Sequence, residues 1–235
     1  IAGREEARLI YSGVAHLLAS GATRRLVVDI GGGSTELVVG TGYTPEILES
    51  VYIGCVSSSL TYFRDGVYDK GAFKHAELAA RHALEPIAKP IRKAGWSEAI
   101  GSSGTARALA DLIEQNALGT HGIDAEALDR LKSLLLKAGR ASELRLAGLK
   151  PDRVPVLAGG LAIMSAVFAE FGIDRMSVSD AALRTGVLYD LLGDLLGRAG
   201  REDMRAATVR EFMQRYKVDE THAGSVAALA GRLWT

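Results

Sequence analysis

Asp29 and Glu36 bracket a short run that holds most of what phosphate chemistry requires. From Arg24 to Gly40 the chain reads R-R-L-V-V-D-I-G-G-G-S-T-E-L-V-V-G. Leu26, Val27 and Val28 read as a strand that delivers Asp29 to its end. Gly31, Gly32 and Gly33 then turn the backbone, and without side chains they let successive N–H groups converge on an anion. Ser34 and Thr35 add hydroxyls that can donate to phosphate oxygens. Asp29 and Glu36 supply hard oxygen ligands suited to Mg²⁺. In Rossmann and Walker loops a helix follows the glycines, and the Walker loop adds a lysine. Here no lysine is present and Glu36 to Val39 reads as strand, so the spacing predicts a phosphate-cradling hairpin. An ordinary two-residue turn is the competing explanation, but it has no use for the surrounding oxygens.

Two further segments carry candidate chemistry. Glu5 and Glu6 fall in the first turn of a predicted helix. Carboxylates there also suit the helix macrodipole and pair with Arg4 and Arg8, so a purely local role stays open. Gly101-Ser102-Ser103-Gly104-Thr105 precedes another helix, whose N-terminal N–H groups can face an anion. A plain strand-to-helix turn with Ser102 or Ser103 as N-cap explains the same letters.

The elements that must position these residues form an α/β pattern. Periodicity predicts a helix over 5–19 and strands over 26–30, 36–40 and 46–52, the strands joined as an antiparallel meander. Helices follow over 57–63 and 72–93, the latter kinked or divided by Pro86 and Pro90. A strand over 97–100 leads into a helix over 105–115, and Asp124 caps a helix through 137. A short strand over 154–157 precedes Gly159-Gly160 and a helix over 161–171; a strand over 176–178 and a helix over 181–192 close the pattern. This is an alternation of sheet and helix around one core.

The D-I-G-G-G-S-T-E run resembles the second phosphate loop of the exopolyphosphatase/guanosine pentaphosphate phosphatase family, within the actin, sugar-kinase and heat-shock-ATPase superfamily. I-A-G-R-E-E-A-R-L-I-Y-S-G-V at the start, G-S-S-G-T-A at 101–106, L-K-P-D-R-V-P-V-L-A-G-G at 149–160 and S-D-A-A-L-R-T-G-V-L-Y-D at 179–190 are similar to further family segments, in the family's order. The resemblance implies an actin-like (ribonuclease H-like) half-domain with a mixed sheet flanked by helices. It implies that the second glutamate of E-E-A-R-L, Glu6, is the base that activates water. Gly31, Gly32, Gly33, Ser34, Thr35, Gly104 and Thr105 would bind phosphate, Asp29 and Glu36 would hold Mg²⁺, and Gly159-Gly160 would be a third glycine turn. The substrates implied are inorganic polyphosphate or guanosine pentaphosphate, and the assembly implied is a homodimer. Thr185 departs from the family, which often carries an acid after Arg184. An ATPase or sugar kinase, and a non-catalytic sensor of guanosine polyphosphates, remain as rivals.

Composition sets the remaining bounds. With 235 residues, 48% of them hydrophobic, the chain can bury one sizeable core. Its 28 basic and 28 acidic residues balance, so no global field advertises a nucleic acid or membrane partner. The lone Cys55 reads as a small buried hydrophobe and suits a reducing cytoplasm. No run of 18 uniformly apolar residues is present. The five histidines have no metal-ligand spacing and are expected at the surface. The chain opens inside a helix start, and the resemblance implies a preceding actin-like half that bears the first phosphate loop. It is therefore read as an internal portion, with a second actin-like domain over 1–192 and a linker plus the beginning of a helical third domain over 193–235, and on its own it is expected to be weakly active or inactive because the cleft needs both halves. The basic residues Arg198, Arg201, Arg205, Arg210, Arg215 and Lys217 are read as a solvated helix face, with a polyphosphate path as the alternative.

Overall fold

The computed structural model describes residues 2–18, 23–119, 121–195, 213 and 215–233. The chain divides into two compact units, Ile1–Leu191 and Leu192–Thr235. The first holds a six-stranded mixed sheet in the order β3-β2-β1-β4-β6-β5. Strands β1 (Arg24–Ile30), β2 (Thr35–Thr41) and β3 (Thr44–Val51) form the expected antiparallel meander. Strands β4 (Glu98–Ser102) and β6 (Arg175–Val178) add in parallel beside β1, and the two-residue β5 (Ile123–Asp124) closes the far edge antiparallel to β6.

Side-chain alternation assigns the two faces. Leu26, Val28, Ile30, Leu37 and Val39 join a large cluster with helices α2 (Cys55–Tyr62), α3 (Lys70–Ala94), α4 (Ser103–Gln115), α5 (Ala125–Ala138) and α6 (Leu157–Phe171). Val27, Val38 and Ile100 point the other way, against Ala7, Ile10, Tyr11 and Val14 of α1 (Gly3–Leu17). Helix α7 (Leu183–Leu195), which begins in this unit, starts so close to α1 that a Cβ on Gly186 would lie 1.7 Å from the Leu9 carbonyl oxygen.

Four local expectations need correction. Helix α3 is one helix of 25 residues with both prolines inside it. Pro86 and Pro90 are four apart on the exposed side, where water can take the freed carbonyls, while Leu84, Ala88 and Ile91 bury the opposite side. Residues 154–156 form a 3₁₀ turn instead of a strand, consistent with Pro155 at its start, and α6 begins at Leu157. Gly159-Gly160 is therefore helical: it permits close helix–helix packing, since a Cβ on Gly159 would come 2.5 Å from the Cys55 carbonyl oxygen. His16 is half-buried, stacked on Tyr189 with centroids 4.0 Å apart, while the other four histidines are exposed. Residues Val154–Phe171 are long and apolar enough to cross a membrane by composition, with mean hydropathy 1.8, but 67% of that stretch is buried inside the protein as a core helix.

In the second unit, α8 (Glu220–Leu233) starts at Asp219, whose carboxylate accepts from the Thr221 and His222 amides. Arg215 and Lys217 are exposed, and Arg198, Arg201, Arg205 and Arg210 lie outside the described residues.

Candidate active site

The sheet register gathers the polar residues into one row. Ser50, Glu36, Asp29 and Ser102 are successive Cα partners across β3, β2, β1 and β4. Two residues back on the same face, the matching row is Leu48, Val38, Val27 and Ile100. The face that packs against α1 thus changes from apolar to polar in a single step, at the end of the strands where the glycine loop begins. Asp29 is 6% exposed and Glu36 1%.

Helix α1 brings Glu6 to this row. Its first turn lies so close to β3 that a Cβ on Gly3 would come 2.5 Å from the Ser50 hydroxyl. The Glu6 charge bears on both Asp29 and Glu36. Burial pushes the Glu36 carboxyl up to about 7; the hydroxyls of Ser50 and Ser34 pull it down, and the charges of Glu6 and Asp29 add to the rise. Asp29 is also raised by burial, opposed by the Ser102 hydroxyl, raised further by Glu6 and lowered by Ser103 and Arg107. Two facing carboxylates held this way attract a cation. Among the described residues no three His, Cys, Asp or Glu side chains form a complete cage. A carboxylate pair is nonetheless the donor set Mg²⁺ uses when waters and substrate phosphates complete its shell, so Asp29 and Glu36 fit it.

The loop is held largely through its carbonyls, but the Gly31 amide, expected to face phosphate, is spent inside it. Gly31 donates to the Ser34 carbonyl at 2.9 Å. The first N–H groups of α2 close on the loop: Cys55 donates to the Gly31 carbonyl, and Val56 and Ser57 donate to that of Gly32. Gly54 permits this approach, because a Cβ there would lie 2.3 Å from Gly32 backbone atoms. The amides of Gly32, Gly33 and Ser34 donate to no backbone carbonyl among the described residues, and Gly32 and Gly33 are exposed. The Thr35 hydroxyl is spent internally on the Ile53 carbonyl at 2.6 Å.

The Gly101–Thr105 turn docks on the end of β1. Ser103 and Thr105 donate to the Ile30 carbonyl at 3.2 and 2.8 Å. This leaves the Thr105 backbone, not its hydroxyl, for a ligand. Ser103 holds φ at +78°, a strained value for a residue with a side chain. Ser102 occupies the N-cap position of α4 but makes no side-chain cap; its hydroxyl donates to Asp29 Oδ2 instead. Gly104 makes room for Arg153, whose guanidinium would lie within 2.6 Å of a Cβ there. A guanidinium laid on the positive end of a helix is unfavourable unless an anion joins them. Arg107, Lys150 and Arg153, with Asp111 and Asp180, line an adjoining cleft of about 440 Å³ that also has walls of Leu112, Leu149 and Val178.

Of the predicted residues, Asp29, Glu36, Glu6 and the 31–35 loop therefore share one end of the sheet, with Thr105 bonded to the end of β1 and Gly104 beside it in the same turn. Sequence reasoning missed Ser50, the side-chain role of Ser102, and the cations Arg107 and Arg153. Strand register was the signal that could have found the two serines.

Known proteins place this geometry. The structure is similar to that of an Aquifex aeolicus PPX-GPPA enzyme, with TM-score 0.66 and 28% identity over 79% of this chain and 62% of that one. It is similar to an exopolyphosphatase from Cytophaga hutchinsonii, with TM-score 0.69 and 25% identity over 82% and 64%. An exopolyphosphatase-like protein shares the fold at TM-score 0.72 and 23% identity, over 83% and 68%. The chain thus spans less than two thirds of the Aquifex and Cytophaga chains. The mixed sheet with its flanking helices is the actin-like half-domain that the sequence implied. The model of the Ppx/GppA phosphatase family matches residues 1–195, and the chain belongs to that family.

Proposed function

We propose that the protein is a phosphoanhydride hydrolase that releases terminal orthophosphate from inorganic polyphosphate or the 5′ γ-phosphate from guanosine pentaphosphate. The observation that carries this reading is the buried carboxylate row under Glu6, set against an exposed loop in which the Gly32, Gly33 and Ser34 amides donate to no backbone carbonyl among the described residues. The amides of Gly32, Gly33 and Ser34 would hold the oxygens of the terminal phosphoryl group, where negative charge is spread during transfer. Glu6 would orient a water and accept its proton as the water oxygen bonds to phosphorus and the anhydride P–O bond breaks. Asp29 and Glu36 would hold Mg²⁺, which when bound neutralises phosphate charge.

The cleft beside Gly104 favours the guanosine substrate within this reading. Its volume falls in the range of small-molecule sites, and its mix of cations and apolar walls suits a nucleotide better than a bare polyanion.

Phosphate release with Mg²⁺ from long-chain polyphosphate and from guanosine pentaphosphate, measured in parallel for the full-length protein and its Glu6→Ala variant, tests both claims. Release abolished by the substitution, with guanosine pentaphosphate preferred, is expected. No release from either substrate by folded protein sinks the hydrolase reading; transfer from ATP to an acceptor selects a kinase, and tight binding without turnover selects a sensor.

A further inference from the structure

We propose that Ser50 and Ser102 are positioning residues that orient the Asp29–Glu36 pair toward a divalent cation, an inference that rests on the metal assignment of the hydrolase reading. Both serines lie in the same row as the carboxylates, one on each flank, so each acid has a hydroxyl beside it on the adjacent strand. Ser50 donates to Glu36 Oε1 at 2.8 Å, and Ser102 donates to Asp29 Oδ2.

Neither hydroxyl is simply satisfying itself. Ser102, fully buried, stands where a serine ordinarily caps the helix that follows, yet it forgoes α4 and turns to Asp29. Ser50 sits on edge strand β3 and is partly exposed, so water was available to it. On the loop side, the Ser34 hydroxyl also lowers the Glu36 carboxyl against the rise from burial. Ser34, however, belongs to the loop, whereas Ser50 and Ser102 belong to strands β3 and β4. A carboxylate tethered through one oxygen presents its plane in one orientation. Hydroxyls of this kind behind metal ligands typically alter affinity by about 10- to 100-fold when removed.

Mn²⁺ is the probe, its binding followed by loss of the free-ion electron paramagnetic resonance signal. Wild type, Ser50→Ala, Ser102→Ala and Ser50→Thr are compared, with Asp29→Asn and Glu36→Gln as controls and melting curves to confirm folding. The expected result is Mn²⁺ affinity weakened about tenfold or more in each alanine variant. Ser50→Thr, which keeps the hydroxyl, should bind as wild type does. Phosphate release by the alanine variants should recover as Mn²⁺ is raised, which a loss of structure would not permit. If buried Ser102→Ala fails to fold, Ser50→Ala on the edge strand decides alone. Wild-type affinity in the folded alanine variants, with binding lost in Asp29→Asn, overturns the positioning role and leaves the hydrolase reading standing. Wild-type affinity in Asp29→Asn and Glu36→Gln as well removes the metal assignment and the inference together.

Discussion

Replacing Glu36 with glutamine should make the protein more stable at neutral and alkaline pH and leave it nearly unchanged in acid. Glu36 is 1% exposed, and its carboxyl titrates near 7 in the folded protein against 4.5 for the free group. The folded value is the higher one, so the native state binds the proton more tightly than the unfolded chain does. The stability this confers is complete below pH 4.5 and is lost as pH rises through 7. The difference, 7 minus 4.5, at about 1.4 kcal/mol per unit, amounts to about 3 kcal/mol once the group is fully ionised. Glutamine keeps the shape and the acceptor oxygen for Ser50 and carries no charge to bury. The stability gap in favour of Glu36→Gln should therefore be about 1 kcal/mol at pH 5 and about 3 kcal/mol at pH 8. For a unit of this size the larger value corresponds to roughly 6–12 °C in Tm. Urea unfolding of both proteins at pH 5, 6, 7 and 8, in EDTA, measures it, and the comparison cancels most other titrating groups. A variant less stable than wild type at pH 8, or a gap that does not change with pH, would show that the surrounding hydroxyls stabilise the charge fully and that burial exacts nothing.

Other perturbations probe the supports of the site. Gly54→Ala places a Cβ 2.3 Å from Gly32 backbone atoms, which cannot swing aside. It should cost about 1–3 kcal/mol in thermal unfolding and abolish phosphate release by displacing the loop. Asp124→Ala removes the acceptor for the Ala127 amide at the start of α5, at the opposite edge of the sheet from β3. It should lower stability by about 1 kcal/mol and leave the phosphate-release rate as in wild type.

The parts of this structure legible in the sequence are those with local causes. Asp124 caps α5 because its carboxylate reaches an amide three residues on, and D-I-G-G-G-S-T-E turns because glycines lack side chains. The errors fell where a distant partner decides. Pro86 and Pro90 stay in α3 because the buried side of that helix is tied to the core and the prolines face water. Gly159-Gly160 reads as a turn in the sequence, but Gly159 is small to admit α2 and Gly160 to admit Thr105 of α4, both distant in the chain.

The polar row depends on register in the same way. Ser50 is an unremarked letter on an edge strand until its pairing with Glu36 is known, and a slip of one residue would carry it to the other face. The register of the β2–β3 hairpin, including its irregularity at Val39/Gly40, is what places hydroxyl beside carboxylate. At Gly40 a Cβ would strike both the Thr44 carbonyl oxygen and the Tyr11 ring, so the irregular step is held by contacts from within the hairpin and from α1. The helix that carries Glu6 thus also packs against the step that aligns Ser50 with Glu36. Base and carboxylate row are consequently set by one packing arrangement, although Glu6 and Glu36 lie on separate elements.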